Sequence, residues 1–254
     1  MIRAIIEKLE TLGEYFVFTG KVLRSITKKP IYLSQYMSET ENIGINSLLI
    51  IILSSAAMGM ILALQMASIL IDFQAEIGTG AAVAIAMSRE IAPVITTLML
   101  IAKNGSAMAA ELGTMKVTEQ IDALEAMSIS LEQYLVLPKV IACFLIFPAL
   151  TLLANMVGTA GAYVVSVFFF GVESGGYLNY LFDFLSPRDI FAGLIKACVF
   201  ALIVSTICCF YGLRTTQGAK GVGNSSTKAV VASSISILVA DYLLATILLR
   251  FIYQ

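Results

Sequence analysis

The stretch GSAMAAELGTMKVTEQIDALEAM, Gly105 to Met127, decides how this chain is read. It is a polar, acid-rich island between two long apolar runs, Ile91 to Ala102 and Val140 to Phe170. Runs of that kind cross a membrane or lie deep in a core, so the island between them sits at a membrane surface. Val117, Ile121 and Leu124 recur at four and three residues and share one helical face, while Glu119, Asp122 and Glu125 cover the other side. The pattern predicts a short surface helix. Thr118 is its candidate N-cap, with Glu119 and Asp122 in the first turn, where a carboxylate favours the helix dipole. No Glu or Gln three residues on completes a capping box. An ordinary solvated loop helix has the same pattern, and spacing alone does not separate the two.

Outward from the island, the composition sets the class. Hydrophobic residues make up 59% of the 254 and charged residues 13%, too little polar surface to cover a soluble globule of this size. The chain therefore reads as an integral membrane protein. A formal net charge of -1 argues against nucleic acid as a partner, because a phosphate-binding surface needs a basic excess. Cys143, Cys198, Cys208 and Cys209 all fall inside apolar runs, and the chain has no His, so they read as small core residues, neither zinc ligands nor disulfides.

In order, residues 1–29 place Ile2, Ile5, Ile6, Leu9, Leu12, Phe16, Leu23 and Ile26 near helical spacing among charges, the pattern of an amphipathic helix lying in the interface. Glu7, Lys8 and Glu10 fall where a signal peptide needs its apolar core. Pro30 and the polar stretch Ser34 to Asn46 are expected to end this helix. Five transmembrane spans follow, at 47–71, 90–109, 140–170, 190–211 and 229–249. The first has 25 residues without a charge and the third 31, the latter with Pro148 and Gly158 available to kink it. The second could begin earlier, since Ala81 to Met87 is also apolar. Gly171 to Arg188 reads as a polar loop holding a short helix, and Gly212 to Lys228 as a loop rich in Gly, Ser and Thr. Neither a second domain nor an internal repeat stands out.

Six Lys and Arg lie in the amino-terminal segment, three at Lys103, Lys116 and Lys139, and three at Arg214, Lys220 and Lys228, twelve of the sixteen. By the positive-inside rule that side is cytoplasmic, which puts the amino terminus inside and, after five crossings, the carboxyl terminus outside.

The run Ala110 to Leu124 resembles the signature of the MlaE (YrbE) permeases, the membrane subunits of ABC transporters that move phospholipids between bacterial membranes. The resemblance extends through Arg89-Glu90-Ile91-Ala92-Pro93, Leu194-Ile195-Lys196-Ala197 and Gly218-Ala219-Lys220-Gly221-Val222-Gly223 to Ala240-Asp241-Tyr242. Ser130-Leu131 departs from it, since many relatives carry a proline there, which puts the exit from the island's helix in doubt. The resemblance implies an all-α permease of the bacterial inner membrane, a single domain over 1–254, acting in outer-membrane lipid asymmetry or lipid trafficking as a homodimer with a phospholipid pocket between the two copies. It implies that 111–127 is the coupling segment for a cytoplasmic ABC ATPase, with Glu111, Gly113, Thr114, Lys116, Thr118, Glu119, Gln120, Asp122 and Glu125 at the contact. It also implies a periplasmic MCE-domain protein on the outer face, and in some relatives a small STAS-domain subunit recruited through the ATPase.

Catalytic residues are not expected in this chain. Gly218 and Gly223 have the spacing of a phosphate loop's glycines, but Asn224-Ser225 stands where Lys-Ser or Lys-Thr is required, so ATP is expected on the partner and no cofactor here. The informative residues are the charges at membrane depth. Lys196 and Asp241 fall at similar depth and are expected to form a buried ion pair. Arg89 and Glu90 point about 100° apart on a helix and cannot share one partner, so one of them is expected to line a cavity. In the family this resembles, that region borders the lipid pocket near the outer leaflet. Gln65, the strongly polar residue inside the first span, is either a helix contact or a substrate contact. The competing reading from another class is a stand-alone ion-coupled carrier using Lys196 and Asp241 as a proton relay, although such carriers usually have more spans and paired repeats.

Overall fold

The computed structural model describes residues 2–25, 33–216 and 218–252, with side chains for 9–25, 33–216 and 218–251. The part of the predicted amino-terminal helix at 26–29, Pro30, the apolar side chains of Ile2, Ile5 and Ile6, and the terminal Gln254 lie outside the described residues. Every described element is helical: α1 (Ile2–Ser25), α2 (Leu33–Gly44), α3 (Leu48–Asp72), α4 (Thr79–Ala86), α5 (Ala92–Leu100), α6 (Ser106–Val117), α7 (Gln120–Ala126), α8 (Leu137–Val164), α9 (Ser174–Phe184), α10 (Pro187–Leu213) and α11 (Gly218–Ile252). Single π turns at Met87–Ile91, Ile101–Gly105, Glu132–Val136 and Val165–Phe169 extend or join these helices.

Five stretches are long and apolar enough to cross a membrane: Leu33–Asp72, Glu76–Val117, Glu132–Phe169, Pro187–Leu213 and Gly218–Phe251. The number is the one the apolar runs predict, and α3 matches the predicted first span. The other limits need correction. The helical path of the second span starts well before residue 90 and continues beyond 109 to Val117, so the first half of the polar island prolongs a membrane helix. The third begins at Glu132, and its Lys139 is 1% exposed, where the sequence reading treated it as a surface flank. The predicted loop at 212–228 is helical from Gly218, and Gly218 to Gly223 form the opening turns of α11. Small polar residues in that stretch contact neighbouring helices. Ser226 Oγ donates to Ser106 O at 3.1 Å, and further along the same helix, inside the predicted span, Ser233 Oγ meets Cys208 Sγ at 3.5 Å. A Gly/Ser-rich composition thus marks close helix packing here, which in sequence looks the same as a loop. The polar stretch after Pro30 is likewise helical, as α2.

The described chain divides into two compact units. One comprises Met1–Ile43, Ile101–Phe144 and Ala201–Ser236. Its core joins Val22 of α1, Leu112 of α6, Ile121 of α7, Val140 of α8 and Cys209 of α10. Helix α1 is fixed by Tyr15, whose hydroxyl meets Thr206 Oγ1 at 2.8 Å and whose ring packs edge-on against Phe210, and by the Glu14–Arg214 ion pair. Its other face leaves Leu9, Leu12, Phe16 and Leu23 exposed, the apolar side an interfacial helix presents to lipid.

The second unit comprises Gly44–Leu100, Leu145–Phe200 and Ile237–Gln254. On α3, Ser55, Gly59, Ala63 and Ala67 recur every four residues and are all buried, a small-residue stripe that admits a neighbouring helix closely. The partner is α8. A Cβ on Gly59 would fall 1.9 Å from Gly158 O, so Gly158 serves this crossing, while Pro148 sits inside α8 without ending it. Cys143, Cys208 and Cys209 are buried, Cys198 is half-buried, and all four are free.

Candidate functional site

The second unit gathers charges in an otherwise apolar setting. Arg89 and Glu90 lie on the π turn Met87–Ile91. A π turn adds a residue to the helical register and often marks a functional site. Arg89 Nε donates to Asp189 Oδ1 at 2.7 Å. Asp189 is held by its own helix start: Pro187 opens α10, Ser186 N–H donates to Asp189 Oδ2 at 3.0 Å, and Arg188 N–H donates to Ser186 Oγ at 3.3 Å. That is the reciprocal logic of a capping box, with Pro at the first helical position. The carboxylate is thus fixed before Arg89 reaches it, and it is 1% exposed.

Two turns along α10, Lys196 is 1% exposed and meets two carboxylates. It bonds Glu90 Oε2, and Asp241 Oδ1 of α11 lies 3.0 Å from its Nζ at an angle that completes no hydrogen bond. Two cations therefore face three carboxylates. The predicted Lys196–Asp241 pair is present, with Glu90 as an additional partner, and Arg89 and Glu90 take different partners on α10, as their divergence on a helix requires. Arg89, Glu90 and Lys196 line one narrow cleft with Ala192, Ala245 and Leu249, and the side chains of Arg89 and Glu90 remain 33% and 46% exposed. The space between these side chains is only about 20 Å³, room for about a single water, so the ion pairs themselves fill the cleft. Close approach of α10 to the π turn depends on Gly193, where a Cβ would lie 2.1 Å from Ser88 O. Ser88 and Ile190, the chain neighbours of Arg89 and Asp189, line a separate apolar cavity of about 520 Å³ with Leu152, Met156, Tyr163 and Leu181. Gln65 lies exposed on α3, does not line the cleft, and is not brought to these charges.

Asp189 escaped the sequence reading because it falls between the predicted loop ending at Arg188 and the span beginning at Ile190. The signal was present in Ser186-Pro187-Arg188-Asp189, which spells a helix start.

The island lies in the first unit. Helix α6 ends at Val117, the chain turns at Glu119 with φ +59°, and α7 follows. Thr118 is not the N-cap. Its Oγ1 donates back to Thr114 O at 2.8 Å, the habit of a Thr ending a helix, and Glu119 takes the cap position without a side-chain cap bond. Ile121 is 1% exposed and Leu124 packs against the same core, so these two of the three predicted stripe residues point inward, while half-buried Val117 falls on α6, before the turn. Glu119, Gln120, Asp122 and Glu125 are exposed on the other side. Lys116 Nζ donates to Asp122 Oδ1 at 2.6 Å and ties the two helices together. Thr114 is exposed, and Gly113 is buried against Thr215, whose Oγ1 would lie 2.7 Å from a Cβ there. Glu111 differs from the rest, because its carboxylate accepts a 2.7 Å bond from the buried Lys139.

The family model described as Permease MlaE matches residues 36–247. A probable ABC transporter permease protein of Rickettsia bellii is 38% identical over 241 residues, 95% of this chain and 93% of the relative. A probable ABC transporter permease protein of Synechocystis is 37% identical over 235 residues, covering 92% and 89%. The chloroplastic protein TRIGALACTOSYLDIACYLGLYCEROL 1 of Arabidopsis thaliana is 37% identical over 230 residues, 91% of this chain and 66% of that protein. The matched residues contain both the charge cluster and the island, and the chain belongs to the MlaE permease family and is a membrane permease subunit.

Proposed function

We propose that this chain is the membrane subunit of an ATP-driven phospholipid transporter of the bacterial inner membrane, working as a homodimer. The observation that carries the lipid reading is the charge cluster of Arg89, Glu90, Asp189, Lys196 and Asp241 among membrane helices. Charges at membrane depth are costly and mark a substrate path by default. Arg89 and Glu90 are partly exposed at the edge of these pairs, and the neighbouring apolar cavity of about 520 Å³ suits an acyl chain. A relative named after a galactolipid is in keeping with a lipid substrate.

The exposed carboxylates of α7 and the basic residues around the island support a cytoplasmic ATPase docking on 111–127, with the ATP on that partner. An MCE-domain protein on the periplasmic side, a STAS-domain subunit on the ATPase, an amino terminus inside and a carboxyl terminus outside complete the reading. The ion-coupled carrier is the weaker alternative, since Lys196 is held by Glu90 as well as Asp241 and the relatives carry ABC permease names.

The test is gentle extraction from native membranes, followed by mass spectrometry of the proteins and lipids that stay bound. An ABC ATPase and phospholipid should accompany the chain. A chain recovered without an ATPase under conditions that keep its dimer intact would sink the reading.

A further inference from the structure

The first unit contains a buried lysine outside the charge cluster of the second unit, tied at one end to the edge of the docking segment. Lys139, on the first turn of α8, is 1% exposed. Its Nζ donates to Glu39 Oε1 of α2 at 2.6 Å and to Glu111 Oε2 of α6 at 2.7 Å. One ammonium thus joins three helices, its partner Glu39 lying 100 residues away in sequence and Glu111 28 residues away. Such a site costs desolvation, and well-packed apolar residues in place of a buried ion pair are often as stable, so a buried salt bridge is weak evidence for a stabilising role.

The three helices differ in what they carry. Helix α6 runs directly into the Glu119 turn and α7. Helix α8 follows the π turn Glu132–Val136, and α6 follows the π turn Ile101–Gly105. Residues 106–131 are therefore bounded on both sides by π turns, where helical bonding is irregular and register shifts are least costly. Helix α2 is also held to the first of these turns, since Asn104 Nδ2 donates to Ile43 O at 3.3 Å. Leu112, Ile121 and Val140 already pack α6, α7 and α8 in one core, but apolar contacts can slide, whereas an ion pair fixes a direction and a distance. The ionic tie from Glu111 through Lys139 to Glu39 bypasses the two π turns.

We infer that Lys139 is a positioning residue for coupling: it passes movement of the docking segment to α2 and to the start of α8 through its bonds to Glu111 and Glu39. This rests on the proposed docking of an ATPase at 111–127. Glu111 acts here through its bonded oxygen, and its side chain remains 54% exposed at the edge of that surface.

The test uses the complete transporter in liposomes, with phospholipid moved and ATP hydrolysed measured together. Glu39→Leu removes one acceptor and keeps Lys139 paired with Glu111, so the protein should fold and hold its ATPase, yet lipid moved per ATP should fall about tenfold. The neutral set Lys139→Met, Glu39→Gln, Glu111→Gln should restore melting temperature relative to Lys139→Met alone without restoring that ratio. Lys139→Arg, which keeps both bonds, should retain it. A purely structural role predicts that the neutral set recovers stability and coupling together. A ratio within twofold of the parent in either Glu39→Leu or the folded neutral set overturns the inference. Loss of ATPase binding in the parent protein would instead remove the docking proposal beneath it.

Discussion

Asp189 accepts a 2.7 Å bond from Arg89 across a hundred residues of sequence, and the same carboxylate closes the start of α10 through Ser186 N–H. One buried group therefore sets both where a membrane helix begins and which way an arginine points. Asp189→Asn keeps an acceptor for Ser186 but loses the ion pair. With Arg89 33% exposed and partly solvated, the expected cost is about 1–2 kcal/mol, below the range for a fully buried pair. Thermal melting in detergent measures it, and lipid retention should fall further than in Arg89→Lys.

Lys196 and its two carboxylates change what a charge swap should do. Lys196→Ala leaves Glu90 and Asp241 without their cation, at a cost of about 2–3 kcal/mol, below the range for a fully buried pair because Glu90 is 46% exposed and partly solvated. Exchanging Lys196 with Asp241 would put a carboxylate against Glu90, so the swap should not rescue. The neutral set Lys196→Met, Glu90→Gln, Asp241→Asn should recover most of the stability while transport stays low. Full recovery of transport in that set would show that the charges serve structure alone.

Reversing Glu119 and Asp122 to Lys should weaken recovery of the ATPase and abolish transport while the permease stays folded. The pair Lys116–Asp122 is exposed, so its loss should cost under about 1 kcal/mol. Glu90→Gln should do the opposite, leaving the ATPase bound and lowering lipid occupancy. Normal ATPase association in the Glu119 and Asp122 variant would refute the docking role.

Glu119 adopts φ +59°, a region unfavourable to side chains. Glu119→Gly should therefore hold or raise the melting temperature, by an amount corresponding to about 1 kcal/mol, while still losing part of the ATPase contact. A clear drop in melting temperature would mean that the side chain makes a stabilising contact.

For topology, a thiol introduced at Ser130, in the exposed exit from α7, should react with a membrane-impermeant reagent only from the cytoplasmic side. One at Asp183, exposed on α9, should react only from the opposite side. Three of the four native cysteines are buried, so background labelling should be low. Reaction of both positions from one side would disprove the five-span orientation.

What the sequence determined by itself was the class, the number of spans and the sidedness of α7, because these follow from local quantities. Charge-free length settles whether a helix can cross, and a three-and-four spacing settles which face is apolar, as Ile121 and Leu124 bear out. Only the tertiary structure decided the partners of the buried charges and the true ends of the helices. Asp189 for Arg89, Glu90 beside Asp241 for Lys196, and Glu39 with Glu111 for Lys139 are contacts between helices remote in sequence, and no local pattern encodes them. The Gly- and Ser-rich start of α11 was misread for the same reason. Its small residues look like a loop until Ser106 of the neighbouring helix is beside Ser226, since a helix in tight contact and a loop in water favour the same residues on different physical grounds.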